Sequence, residues 1–233
     1  MSTHPDLDLQ KTIRPGLDIL ANEIVIGLKK RTRFSVNHAV YQPGLVPSTP
    51  QLSLLEYELA KIEQCHAELG RYAFAAQDAF TDISDIKTVI ARQAPDSPVK
   101  AMASGVGQRI IDFYRDWITR ACPAGENQNT FGETVTADVS ALLAIMERVN
   151  LGKLVAESKY LEMPDAFKAT NGDRDGMLEF IVRKDRENKV IELAETLALH
   201  YDLAPERAVE VFQFMIAVTV DIEVDYLRLR IAE

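Results

Sequence analysis

In "RVNLGKLVAESK", residues 148–159, Arg148 and Lys159 stand eleven positions apart in a stretch of helical periodicity. At about 100° per residue, eleven steps return the chain to within roughly 20° of its starting direction, and a rise of ~1.5 Å per residue separates the two cations by about 16 Å. They share one helix face, with Gly152 and Val155 between them as a small apolar floor. "FQFMIAVTVDIEVDY" has a similar character. Its stripe runs Phe212, Met215, Ile216, then Thr219 and Glu223, then Tyr226, which sets a hydroxyl and a carboxyl one turn apart on the face that should be buried. In "FIVRKDRENKVIELAETLALH" Arg183 and Glu187 interrupt the stripe of Phe180, Val190, Ile191, Ala194 and Ala198. A buried charge is expensive unless it is paired or neutralised. An Arg148–Glu223 or Arg183–Glu187 pair in the core would account for any one of these residues. Three helices with the same feature point instead to a cationic pocket between helices, where bundles commonly hold ligands.

The residue types limit the chemistry of such a pocket. No nucleophile stands with a base, no metal-ligand cluster is visible, and no glycine-rich loop is built to cradle phosphate. Two fixed cations across an apolar floor suit a small ligand bearing two carboxylates. A reaction with neither nucleophile nor cofactor must be accelerated by holding a conformer and stabilising developing charge.

The elements that would carry these residues are helical almost throughout, with little period-2 alternation. Leu17, Leu20, Ala21, Ile24, Val25 and Leu28 form a first stripe, and "RPG" allows that helix to begin at Arg14, with Pro15 in its first turn. "YQPGLVPSTPQ" is a loop, after which Thr49 is expected to cap a helix with Pro50 at its first position. "SLLEYELAKIEQCHAELGRYAF" predicts one long amphipathic helix and "VGQRIIDFYRDWITRAC" another, with the loop "APDSPVKAMASG" between them. After the polar linker "PAGENQNTFG", residues 133–160 predict a long helix, and two more, roughly 176–201 and 205–231, close the chain. Neither a repeat nor a shift in composition divides it. The expectation is an all-α, single-domain multi-helix bundle over 1–233.

Bulk properties agree with a pocket enzyme. With 26 Lys and Arg against 35 Asp and Glu the net charge is −9, so no basic stripe invites nucleic acid, and any anion must be held by a local cluster of cations. Two cysteines are too few for a disulfide framework, and the four histidines form no ligand pair. No run of about 18 apolar residues suits a membrane span, and "MSTHPDLDLQ" lacks the basic and apolar regions of a signal peptide. The expected setting is cytoplasmic, a secreted mature form with its signal removed being the alternative.

The pattern R-x-x-x-G-x-x-V-A-x-x-K at 148–159 resembles the all-helical chorismate mutases, most closely the eukaryotic, allosteric type. "NEIVIGLKKRTRFSVNHAVYQPG" is similar to that type's N-terminal helix and following loop. "NTFGETVTADVSAL" followed by "RVNLGKLVAESKY" is similar to the helix leading into its active site, and "IAVTVDIEVDYLRLRIAE" to its last helix. The resemblance implies a homodimer that converts chorismate to prephenate by a cofactor-free Claisen rearrangement. It places catalytic roles on Arg14, Arg148, Lys159, Glu187, Thr219 and Glu223. Arg14 and Arg148 would bind carboxylates, Lys159 would reach the ether oxygen whose bond breaks, Glu187 would accept from the ring hydroxyl, and Glu223 would help at the ether oxygen if protonated. Arg183 and Arg186 would add substrate contacts.

The chain departs from the family's pattern at Arg183, at Pro15 and Gly16, which directly follow Arg14 where the family helix normally continues, and at the effector site. Arg183 stands where an Asn or Asp is usual, which motivates isochorismate or an aminated analogue as alternative substrates; an inactive, mutase-like binding protein is the alternative of another class. At the family's effector site Gly132 and Thr136 are kept, Glu133 replaces a small hydroxyl residue, and Arg71 alone remains of an arginine pair. An added carboxylate and a lost arginine both disfavour an amino-acid effector, so control by Trp or Tyr is not expected.

Overall fold

The computed structural model describes residues 7–74, 76–91, 97 and 99–233. His4 and part of the loop expected at 94–105 lie outside these. Architecture centres on one long helix, numbered here with the others in chain order. α4 (Phe131–Glu162) is 32 residues, about 48 Å at ~1.5 Å per residue. Its buried residues include Val135, Leu142, Ile145, Val149, Ala156 and Tyr160, spread around more than one face. It packs most extensively on α8 (Pro205–Ile231) and α1 (Arg14–Arg31), while α7 (Lys184–His200) lies against α8 and α1. α2 (Leu54–Glu68) and α3 (Gly107–Ala121) cover the first half of α4, and the short α5 (Pro164–Ala169) and α6 (Arg174–Ile181) close its far end. The described residues contain eight α-helices and no named strand.

Several boundaries differ from the sequence-based expectation, each for a local reason. α2 begins at Leu54, because Ser53 forms a reciprocal capping box with Glu56; Thr49 and Pro50 lie in turns before it. It ends at Glu68, where Gly70 takes a left-handed φ of 73°, and Arg71–Ala73 form a 3₁₀ turn. The helix expected over 176–201 is two helices. The chain becomes extended at Val182 and Arg183 (φ −133°, ψ 89° at Arg183), so Arg183 is the N-cap of α7 and does not continue a stripe from Phe180. α1 begins at Arg14 as expected, but a π-helical turn, Leu9–Ile13, runs into it without a gap. Asp8 caps that turn through the amides of Gln10 and Lys11, and the Arg14 N–H reaches the Leu9 carbonyl. Pro15 has no N–H to give, so the wider turn ends where a proline is tolerated.

Two apolar clusters fill the interior. The larger joins α1, α2, α3, α7 and α8 to α4 as far as Val149, and the smaller gathers Ala156, Tyr160, Phe167, Met177, Ile181 and Val224 near the far end. The larger one encloses a fully satisfied polar knot. Arg31 and Asp138, both wholly buried, pair at 2.6 Å, and the hydroxyls of Tyr41 and Tyr114 donate to the Asp138 carboxylate at 2.7 and 3.1 Å. The Arg31 guanidinium spends its remaining donors on the carbonyls of Phe34, Ser35 and Val36 and on the Tyr41 hydroxyl. This knot shows how the fold treats a buried charge that is structural: every donor is used.

Candidate active site

Between the two clusters the polar residues are handled differently. Arg148 is 6% exposed, yet its Nε has no hydrogen-bond partner and its guanidinium takes part in no ion pair among the described residues. The guanidinium stands over the Phe212 ring, whose centroid lies 5.4 Å from Cζ. Burial lowers its pKa to about 10, with Asp18 opposing the shift. Arg14 Nη1 and Thr219 Oγ1 are likewise buried without a partner. Burial lowers the Arg14 pKa too, and the neighbouring Arg186 cation adds to the effect. All three orphaned atoms belong to residues lining one cavity of about 420 Å³.

Four helices build that cavity. α1 presents Arg14, Leu17 and Asp18; α4 presents Arg148, Gly152, Val155 and Lys159, the face expected from the eleven-residue spacing. Gly152 is required for the packing, since a Cβ there would stand 2.9 Å from the Thr219 methyl. α8 contributes Ile216, Thr219 and Glu223, and α7 contributes Arg186, Glu187 and Lys189, with Arg183 at its cap. Every expected catalytic residue and both expected substrate contacts therefore line one cavity. Asp18 and Lys189 line it too and escaped the sequence reading, although the spacing of Asp18 four residues after Arg14 was available as a signal.

The carboxylates are placed with equal clarity. Neither core pair considered from the sequence forms. Glu223 accepts from Lys159 Nζ at 2.7 Å, and Nζ also donates to the Ile181 carbonyl at 2.9 Å, freed by the break after α6. Burial raises the Glu223 pKa, with the Lys159 ammonium pulling the other way. Glu187 accepts from the exposed Lys184 at 2.7 Å. The lining carries six cations (Arg14, Arg148, Lys159, Arg183, Arg186, Lys189) against three carboxylates (Asp18, Glu187, Glu223), a local excess of positive charge in a chain of net charge −9. Such a cavity can take a small dianion and surround it with fixed donors. Among the described residues no group of three or more His, Cys, Asp and Glu could hold a metal ion.

The expected effector residues are not gathered within one chain. Gly132, Glu133 and Thr136 are exposed at the start of α4, whereas Arg71 pairs with Glu147, about 16 Å further along that helix.

The sequence is similar to that of the chorismate mutase of Emericella nidulans, with 30% identity covering 97% of this chain and 93% of that protein. The chain belongs to the chorismate mutase family. A chorismate mutase of Schizosaccharomyces pombe is 26% identical over 95% of this chain and 96% of its own. The solved chorismate mutase of Candida albicans, in complex with L-Trp, superimposes with a TM-score of 0.85 at 26% identity, covering 96% of this chain and 92% of that one. No family model matches the sequence. The all-helical mutase fold and the isomerase activity are thus established for the family in which the cavity is found.

Proposed function

We propose that this cavity is where the chain rearranges chorismate to prephenate, and that its residues divide the work by position. The observation that carries the assignment is the convergence of three buried, unpartnered polar atoms, on Arg14, Arg148 and Thr219, in one cavity. A fold that satisfies every donor of Arg31 leaves these open for a ligand. Arg148 and Arg14 bind the two carboxylates and clamp the enolpyruvyl side chain over the ring, a conformer rare in solution, so that orientation entropy is met on binding. As the ether C–O bond breaks ahead of C–C bond formation, negative charge grows on that oxygen. Lys159, held by Glu223 and the Ile181 carbonyl, is aimed to stabilise it. Glu223 donates to the same oxygen in its protonated form, and Glu187 accepts from the ring hydroxyl. Arg183 and Arg186 extend the cationic wall at the start of α7. The rearrangement is intramolecular, so no proton, electron or group leaves.

Chorismate consumption by purified protein, with prephenate identified as product, tests the assignment. Turnover in the wild type and its loss in Arg148→Ala is the expected result; an Arg148→Ala variant as active as wild type contradicts it.

We infer also that the chain is a homodimer and is insensitive to tryptophan and tyrosine. The glutamate at 133 and the Arg71–Glu147 pair support the second reading, because a carboxylate already occupies the arginine that an effector's carboxylate would need.

A further inference from the structure

Of the three carboxylates lining the cavity, one is left unpaired among the described residues. Asp18 follows Arg14 by one turn of α1 and so shares its face, lines the cavity, and is exposed where Arg148 is buried, which puts it towards the mouth. Glu223 is paired with Lys159, and Glu187 with Lys184, but the Asp18 carboxylate has no hydrogen bond and no ion pair within 4 Å among the described residues. It is the free anion in a cavity where Arg14, Arg148, Arg183 and Lys189 are cations without an ion pair. Its charge favours the protonated form of Arg148 against burial, but it holds none of these cations directly and so stays open to act on a ligand.

We propose that Asp18 sets the affinity of this cavity for its dianion, keeping the binding of substrate and product weaker than the surrounding cations alone would make it. The inference rests on the assignment of the cavity as the active site. The physical reason follows from the reaction type. An isomerisation conserves charge, so cations that attract the substrate attract the product equally, and a surplus of them turns product into an inhibitor. Binding energy common to both states lowers KM without helping the chemical step. A fixed negative charge beside the entrance scales down both affinities together, and as a rim charge its effect is screened by salt.

The test is steady-state kinetics of Asp18→Asn and Asp18→Glu on chorismate, with prephenate as added inhibitor, at low and high ionic strength. For Asp18→Asn the expectation is that KM and the product inhibition constant fall by the same factor, about three- to tenfold at low salt, as removal of one like charge several ångströms away implies. The gap to wild type narrows at high salt, and Asp18→Glu, which keeps the charge, stays near wild type. An unchanged KM overturns the proposal, and so does a raised KM, which would make Asp18 a hydrogen-bond acceptor for the ligand. A fall in KM without a fall in the product constant also overturns it. A wild type that does not turn over chorismate would overturn the assignment of the cavity itself, a result distinct from any difference between the variants.

Discussion

Glu223 is the residue whose protonation decides most. It lies on a buried face, burial raises its pKa, and Lys159 at 2.7 Å restrains the rise. When the substrate's ether oxygen engages the Lys159 ammonium, part of that restraint is lost and a carboxylate beside a dianion becomes less favourable still, which pushes the pKa further up. Only the protonated form can donate to the ether oxygen, so kcat/KM should be higher on the acid side of neutrality and fall as pH rises through the Glu223 pKa. Gln donates an N–H at any pH, so Glu223→Gln should flatten the profile; an unchanged acid preference would assign the titration to another group. These side chains were legible in the sequence because each broke an apolar stripe at helical spacing. Asp18 and Lys189 were not, because each is a single exposed charge that interrupts no apolar stripe and is unremarkable on its own. Their place became visible only when α1 and α7 were brought around the same cavity.

At the level of elements, the close approach of α4 and α8 aligns Arg148 and Lys159 with Thr219 and Glu223. A Cβ on Gly152 would lie 2.9 Å from the Thr219 methyl, and a β-branched side chain has little rotamer freedom in a helix with which to yield. Gly152→Ala should therefore displace Thr219 and spread the two helices, with an overpacking cost of about 1–3 kcal/mol in stability and a loss of about tenfold or more in kcat/KM, read by thermal unfolding and kinetics. Full activity in that variant would show that the spacing of α4 and α8 is not critical. The 131–162 helix was readable from its periodicity, and its ends agree within two residues. The break between α6 and α7 was not, because Phe180, Arg183, Glu187 and Val190 hold helical spacing straight across it. Yet that break frees the Ile181 carbonyl for Lys159, so an unread irregularity serves the site. The start of α2 was misplaced for a different reason: Thr49–Pro50 and Ser53–Glu56 are competing start signals, and the reciprocal capping box prevailed.

For the whole molecule, the all-helical class was legible because helical stripes cover the chain, and one cavity at the junction of α1, α4, α7 and α8 collects what the sequence scattered over more than 200 residues. Surface charge does the opposite of the cavity: a net −9 disfavours distant attraction of anions, so substrate capture relies on the local cations, whose field is short-ranged at physiological ionic strength. The surface also carries exposed apolar side chains beside the end of α2, where Leu69, Val89 and Ile90 are 47%, 70% and 46% exposed and the Val89 amide bonds the Glu68 carbonyl. Light scattering in solution should give twice the 26.1 kDa of the chain, and a monomer at micromolar concentration would contradict the dimer. No helix is long and apolar enough to cross a membrane among the described residues.

On the proposed mechanism, Lys159 stabilises the charge developing on the ether oxygen. The most direct measurement is kcat/KM for chorismate of Lys159→Met against wild type, with helical content and unfolding midpoint measured on the same preparations. Methionine keeps the length and loses the ammonium, so the expected result is a folded protein with turnover reduced about 10²- to 10³-fold or more. A folded Lys159→Met variant within a few-fold of wild type would contradict it.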